Sequence, residues 1–236
     1  MGQSGPRRRP MEGGYARGEQ TRLRIIETAI PLFGRLGYDN TSTREIAADA
    51  GVNPPALQYY FDGKEGLYRA CAEHIAELVS EILEPELDRA ERLLREREPA
   101  QALIEGYCGI VEAMGELLLC RPEAQAWSPL LAREQAGHGP GIAFPLMRER
   151  FIDRLNTVCA GLLGAISGRP ADAPEILLRV MALNGQLKSF HIGRREVLAC
   201  LGWTEISPDQ GRFIKSVIVD QTRILLNAWR QAAQKG

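Results

Sequence analysis

The sequence predicts an all-α protein, and three observations carry that expectation. Apolar residues recur at three- and four-residue spacing along most of the chain. No alternating pattern persists long enough to make a strand. The periodic segments are bounded by capping residues, glycines and prolines, the punctuation of helices. With 236 residues, 44% hydrophobic and 25% charged, the chain can bury a substantial core. It divides into three parts: a disordered Gly-, Pro- and Arg-rich arm over 1–18, a small helical domain over 19–68 and a larger one over 69–236.

The first helix is marked by Ile25, Ile26, Ala29, Leu32, Phe33 and Leu36, one apolar stripe ending at Gly37. Pro31 lies inside it and should remove the bond to the Glu27 carbonyl and bend the helix. In "TSTREIAADAG", Ser42 and Glu45 form a capping-box pattern, with Ile46, Ala47 and Ala50 facing inward and Gly51 as the stop. The third helix, in "VNPPALQYYF", begins on two prolines, which Asn53 as N-cap would place in the first turn, where a missing N–H breaks no internal bond. "DGKEGLY" opens a fourth helix, with Asp62 as N-cap and Glu65 three residues later. Leu67, Cys71, Ile75, Leu78, Val79 and Ile82 are its apolar face. Pro85, Pro99 and Pro122 punctuate the middle of the chain into further helical segments, and "GHGPG" over 137–141 is a loop. Three long helices then run at about 142–166, 174–200 and 208–233.

Several functions are disfavoured at once. Cys71, Cys108, Cys120, Cys159 and Cys200 are scattered without a Cys-x-x-Cys pair and read as reduced core thiols. His74, His138 and His191 share no metal spacing or nucleophile constellation, and no Gly-rich phosphate loop occurs, so neither a cofactor nor an enzyme activity is expected. No apolar run approaches the ~20 residues of a membrane span, and the N-terminus does not read as a secretory signal; a cytoplasmic, nucleoid-associated location is expected. The net charge of −1 excludes a broad nucleic-acid-coating surface, and any such partner must be met by a few placed groups.

Two short helices joined by a glycine turn, supported by a preceding amphipathic helix, form a helix-turn-helix arrangement, in which the second helix enters the major groove of double-stranded DNA. Val52, Leu57 and Phe61 would lock that helix down, while Gln58, Tyr59 and Tyr60 would touch bases and phosphates. Pro54, Pro55 and Ala56 offer apolar contact to a thymine methyl, Asn53 at the helix start is a further DNA-contact candidate, and Thr41, Ser42, Thr43, Arg44 and Lys64 would grip the backbone. Arg7, Arg8 and Arg9 form either a solvated tail or a minor-groove arm. An ordinary structural helix pair has the same spacing, and so has a helical interaction protein that no longer binds DNA. The balance of −2 over 38–64 keeps the latter open.

One such helix reads only a few base pairs, so a homodimer on a palindrome is expected, with half-sites ~34 Å or more apart. The last helices carry apolar residues on more than one face: Leu177, Val180, Met181, Leu183 and Leu187 with the small Gly185, then Ile214, Val217, Ile218, Ile224 and Leu225. They are the dimer candidates, and central core helices are the alternative.

Residues 24–70, from "RIIETAIPLFGRLGYDN" through "TSTREIAADAGV" to Leu57, Phe61, Lys64 and Glu65, resemble the DNA-binding domain of the TetR family of bacterial transcriptional regulators. The resemblance implies DNA contacts at Thr43, Gln58, Tyr59, Tyr60 and Lys64. Family members often carry Tyr at the position of Gln58, and Pro54 and Pro55 also depart from the pattern, so no operator sequence is inherited. "ALNGQLKSFHIGRREVLACLGW" is similar to the CecR-like branch, which includes regulators of transporter and drug-sensitivity genes. What the family implies is a repressor released from its operator by a small-molecule effector. Candidates for the effector pocket are Tyr107, Met114, Trp127, Phe144, Met147, Phe151 and Phe190, with Gln186 and His191 as polar handles.

Overall fold

The computed structural model describes residues 12–234, with side chains from residue 16 onward apart from His191. Among the described residues there are helices and connecting turns and no strand, as the periodicity predicts. Arg7, Arg8 and Arg9 lie outside the described residues.

Helix α1 (Glu12–Leu36) begins earlier than expected. Residues 12–18, read as part of a disordered arm, continue the helix, because adding a residue to a formed helix costs far less than nucleating one. Ile25, Ile26, Ala29, Leu32 and Phe33 are buried along its inner face, while Pro31 is exposed and the helix runs through it. The chain leaves α1 at Gly37, whose φ of +85° suits glycine. Helix α2 (Thr43–Asp49) is capped by Ser42, whose Oγ accepts the Glu45 N–H at 3.1 Å. Helix α3 (Pro54–Phe61) comes after a tight turn and ends on Asp62, in the left-handed region at φ 55°. Asp62 therefore closes α3 and does not cap the next helix. That place falls to Gly63, at φ 102° with no side-chain cap, because the left-handed stop consumes the residue before it.

Helix α4 (Lys64–Arg95) crosses the expected boundary at residue 68 without interruption. Its first turns bury Leu67, Tyr68, Cys71 and Ile75, and its later turns bury Val79, Leu83 and Leu87 among the C-terminal helices. Those are α5 (Ala100–Gly115), extended by a wide turn over Glu116–Cys120; α6 (Pro122–Gln135); α7 (Ala143–Met147), joined by a second wide turn to α8 (Asp153–Ser167); α9 (Pro174–Ile192); α10 (Arg194–Leu201); and α11 (Pro208–Ala233). The helix expected at 174–200 is thus two helices broken at Gly193, where a Cβ would lie 2.7 Å from the Ser189 carbonyl oxygen. A full capping box at Ser207 and Gln210 starts α11.

Two helix placements determine how the small domain meets the larger one. Helix α6 packs lengthwise on α1, with Gly34 so close that a Cβ there would meet Pro129 Cβ at 3.1 Å and the Leu130 nitrogen at 3.2 Å. Arg133 extends the joint: its Nε donates to the Gly34 carbonyl at 2.9 Å and its Nη2 to the Arg35 carbonyl at 3.1 Å. Helix α11 lies along α5 and α8 and also touches α9, so the last helix is both core and outer surface.

Candidate nucleic-acid interface and effector cavity

The third helix is built for exposure on one side. Asn53 is its N-cap, the Oδ1 accepting the Ala56 N–H at 3.1 Å, and Pro54 and Pro55 occupy the first turn. Leu57 and Phe61, both buried, anchor it, and the Arg22 guanidinium lies 5.4 Å from the Phe61 ring centre. The opposite face is open. Tyr59 is 83% exposed, and Pro54, Pro55 and Gln58 are exposed beside it. Tyr60 is half-buried, its ring edge-on to Tyr59 at 5.2 Å, and Ala56 is half-buried too. Gln58 is not idle: its amide donates to Asp62 Oδ1 at 3.2 Å, a bond that a base edge must replace.

The residues expected to grip the backbone divide. Ser42 and Arg44 are exposed at the α2 start and Thr43 is half-exposed. Thr41 is not among them. It is buried, with its hydroxyl donating to the Gly37 carbonyl at 2.7 Å, because the turn between α1 and α2 has carbonyls that no other group satisfies. Lys64 is held locally, its Nζ 3.2 Å from the Asp39 carbonyl oxygen and 4.5 Å from the Tyr38 ring centre. Sequence reasoning passed over Arg17. It is exposed on α1, one residue before Gly18, which faces the Tyr60 hydroxyl, so α1 brings positive charge beside α3. The signal was present in "GGYARGEQT", hidden by reading 1–18 as an arm.

A cavity of about 160 Å³ opens among α4, α5, α6, α7, α8 and α9. Of the pocket candidates, Met114, Trp127, Phe144, Met147 and Phe151 line it. Tyr107 does not: it is fully buried behind the wall, its hydroxyl donating to Asn184 Oδ1 at 3.3 Å, and burial pushes its phenol above the ordinary range. Gln186 and Phe190 are also absent from the lining, and the side chain of His191 lies outside the described residues. Helix geometry explains the miss. Asn184, Lys188 and Ile192 face the cavity at four-residue spacing, and residues two positions on point ~200° away.

The group that sequence reasoning missed most completely is Glu134. It lines the cavity, is only 6% exposed, and accepts the Tyr68 hydroxyl at 2.8 Å and the Ala143 N–H at 2.8 Å. The Tyr68 ring is edge-on to Phe33 at 5.0 Å and to Tyr38 at 5.2 Å. Burial, and then the bond to Glu134, raise the Tyr68 phenol above its usual range, so it stays a donor. A continuous run of contacts therefore links the cavity to the small domain: Glu134, Tyr68, Tyr38, Lys64. The sequence did hold a clue, since Trp127, Leu130 and Glu134 share one helical phase in α6.

The dimer candidates separate into two sets. Val180, Leu183, Leu187, Ile214 and Ile218 are buried in the chain's own core. Leu177, Met181, Val217 and Ile224 are exposed, joined by the unforeseen Leu178 and Phe213. Leu225 is half-buried, and a Cβ on Gly185 would meet open space. Val217 and Ile224 stand seven residues apart on α11 and Leu177 and Met181 four apart on α9, so each set forms one outward line. Among the described residues no group of His, Cys, Asp and Glu could hold a metal ion, and no helix is long and apolar enough to cross a membrane.

A short, anchored helix with an exposed aromatic face, behind a second short helix and in front of a helical domain with a cavity, defines a helix-turn-helix transcriptional regulator. Residues 25–71 match the family described as "Bacterial regulatory proteins, tetR family", and residues 103–229, more than half the chain, match "HTH-type transcriptional dual regulator CecR, C-terminal domain". The chain belongs to the TetR family, in the group typified by that C-terminal domain. It is 33% identical over 217 residues to the HTH-type transcriptional dual regulator CecR of Shigella flexneri, covering 91% of this chain and 95% of that one. Its relatives are regulators, not enzymes. The fold is shared with a TetR-like transcriptional regulator from Rhodococcus sp. RHA1 (TM-score 0.56, 19% identity, 97% of this chain and 100% of that one). It is shared too with AibR in complex with isovaleryl coenzyme A and operator DNA (TM-score 0.57, 19% identity, 85% and 97%).

Proposed function

We propose that two copies of this chain bind a palindromic operator as a repressor and release it when a small molecule occupies the cavity. Helix α3 enters the major groove, with Gln58 and Tyr59 on base edges and Pro54 and Pro55 against apolar base surface. Ser42, Thr43, Arg44, Lys64 and, beyond the sequence expectation, Arg17 meet phosphates. The observation that carries this reading is the 83% exposure of Tyr59 on a helix whose other side is anchored by Leu57 and Phe61. With the exposed Pro54 and Pro55 beside it, the ring forms a contiguous apolar patch with a phenol edge, a surface suited to a partner.

Dimerisation is supported by the outward lines of α9 and α11, which a second copy would cover as a four-helix bundle, the alternative to an exposed strip of Leu177, Leu178, Met181, Phe213, Val217 and Ile224. Ligand response is supported by the joints between cavity and DNA-binding domain. Helix α6 is fastened to the end of α1 through Gly34 and Arg133, and Glu134 reaches Tyr68 directly. A ligand that shifts α6 must shift α1 or break those bonds, and the spacing of the two α3 helices changes with it. The structural neighbour that holds both an acyl-coenzyme A and operator DNA shows that this fold accommodates both kinds of partner in another protein. The test is a gel shift on the DNA upstream of the gene, with competitor DNA and a salt series. A discrete, competitor-resistant complex supports the reading, and binding indistinguishable from random DNA would leave only a helical interaction protein.

A further inference from the structure

A second concavity lies away from the effector cavity, on the flank of the small domain. It is a groove of about 400 Å³ between α1 and α4, with Glu19, Arg22 and Leu23 on one side and Glu73, His74 and Glu77 on the other. Three carboxylates sharing one groove repel one another, and the fold leaves them unanswered. Among the described residues, none of Glu19, Glu73 and Glu77 forms an ion pair or a hydrogen bond. Arg22 is beside them, but its guanidinium is drawn over the Phe61 ring, 5.4 Å from the centre. Leu23, 40% exposed, gives the groove an apolar stretch between the charges.

The chain carries a complement to this groove just ahead of α1. Residues 1–11, outside the described residues, hold Arg7, Arg8 and Arg9 between Pro6 and Pro10, with no acidic residue. We infer that this arm turns back along α1 and lies in the groove, its guanidiniums on Glu19, Glu73 and Glu77, as its resting place in the absence of DNA. Reach permits it. From Glu12, where α1 starts, to Glu19 is ~10 Å of helix. Arg9, Arg8 and Arg7 stand three to five residues before Glu12, and at up to ~3.5 Å per extended residue they span about 10–18 Å. Pro10 favours the reversal, since the residue before a proline is driven out of helical geometry, which stops α1 from running on through Arg9. Guanidinium suits the site because it pairs a carboxylate through two parallel N–H groups. Each such surface pair is weak by itself, but a tether of a few residues holds the three at high effective concentration, so they act together. While the arm is held, its charges are answered within the chain, and duplex DNA must compete with the groove for them.

The test needs neither DNA nor effector, so its outcome is separate from whether an operator is bound. Full-length protein is digested briefly with trypsin, and mass spectrometry follows cleavage after Arg7 and Arg8, beside a synthetic peptide of residues 1–14 as the unprotected reference. At low salt the arm should be cut about fivefold more slowly in the unaltered chain than in the triple variant Glu19→Gln, Glu73→Gln, Glu77→Gln. That difference should close at about 0.5 M salt. The variant keeps side-chain size at positions that pair with nothing else, and circular dichroism checks its fold. Should it not fold, the unaltered chain decides alone: its cleavage relative to the peptide should accelerate about fivefold between the two salt concentrations. Equal rates for chain and variant, a salt response matching the peptide's, or protection lost on dilution, which would give the groove to a second copy's arm, would each overturn the inference.

Discussion

Replacing Tyr68 by Phe removes one oxygen and leaves everything else in place, so its consequences can be worked out closely. The ring keeps its edge contacts with Phe33 at 5.0 Å and Tyr38 at 5.2 Å, and its burial does not change. What is lost is the 2.8 Å hydrogen bond to Glu134, which then retains only the Ala143 N–H. A hydrogen bond to a charged group contributes about 1.5–3 kcal/mol, and a buried carboxylate left half-satisfied puts the cost towards the upper end. For a chain of this size, about 2–4 °C accompanies each kcal/mol, so the midpoint of thermal unfolding should fall by roughly 3–12 °C at fixed protein concentration. Operator affinity in the absence of effector should stay within about threefold, because no group on α3 has changed, whereas the ratio of affinities without and with effector should shrink towards one. Calorimetry gives the first quantity and fluorescence anisotropy on labelled operator the other two. An unchanged midpoint would refute the bond, and an unchanged effector response would refute the route through it.

The same geometry sets four further outcomes. Lys64→Ala should weaken binding to all sequences and lower the salt dependence by about one charge, whereas Gln58→Ala should alter discrimination among sequences; if the two behaved alike in competition assays, the division between phosphate and base contact would be wrong. Val217→Asp on the outward line of α11, where the side chain is 49% exposed, should yield a folded monomer in sedimentation analysis, and a dimer that persists would remove that line from the interface. Burial pushes the Cys108 thiol to about 11 and that of Cys159 to about 12, so both stay protonated in the fold after they would ionise unfolded. Their contribution is complete below about pH 9 and is lost as pH rises through those values, so the denaturant midpoint should fall on the alkaline side. In the native protein a thiol reagent should modify the exposed Cys200 long before Cys71, Cys108 or Cys159.

The parts of this fold that the sequence makes legible are those decided by local chemistry. Apolar spacing places α1 and α11, Asn53 caps α3 as its side chain allows, and the two prolines sit where their missing N–H groups do no harm. What escaped depends on tertiary partners. Asp62 looks like an N-cap by its type, yet its backbone is recruited to end the previous helix. Thr41 looks like a phosphate ligand beside Ser42, yet the turn's own carbonyls claim its hydroxyl. Glu134 reads as a solvated charge until α4 and the start of α7 close over it, and only its shared phase with Trp127 and Leu130 hinted otherwise. On α9 the sequence points to the helix but not to its cavity-facing side, since Gln186 and Phe190 stand nearly half a turn from Asn184 and Lys188.

The central claim is that α3 reads duplex DNA from a paired, effector-sensitive protein, and one titration reaches it most directly. Purified protein is added to a labelled duplex recovered from its own upstream region, with an equal-length scrambled duplex in parallel, at several salt concentrations. Saturable binding at two chains per duplex is predicted, at least about a hundredfold tighter than to the scrambled sequence at the same salt. Equal binding to both duplexes at every ionic strength, by a protein shown to be folded and free of ligand, would contradict it.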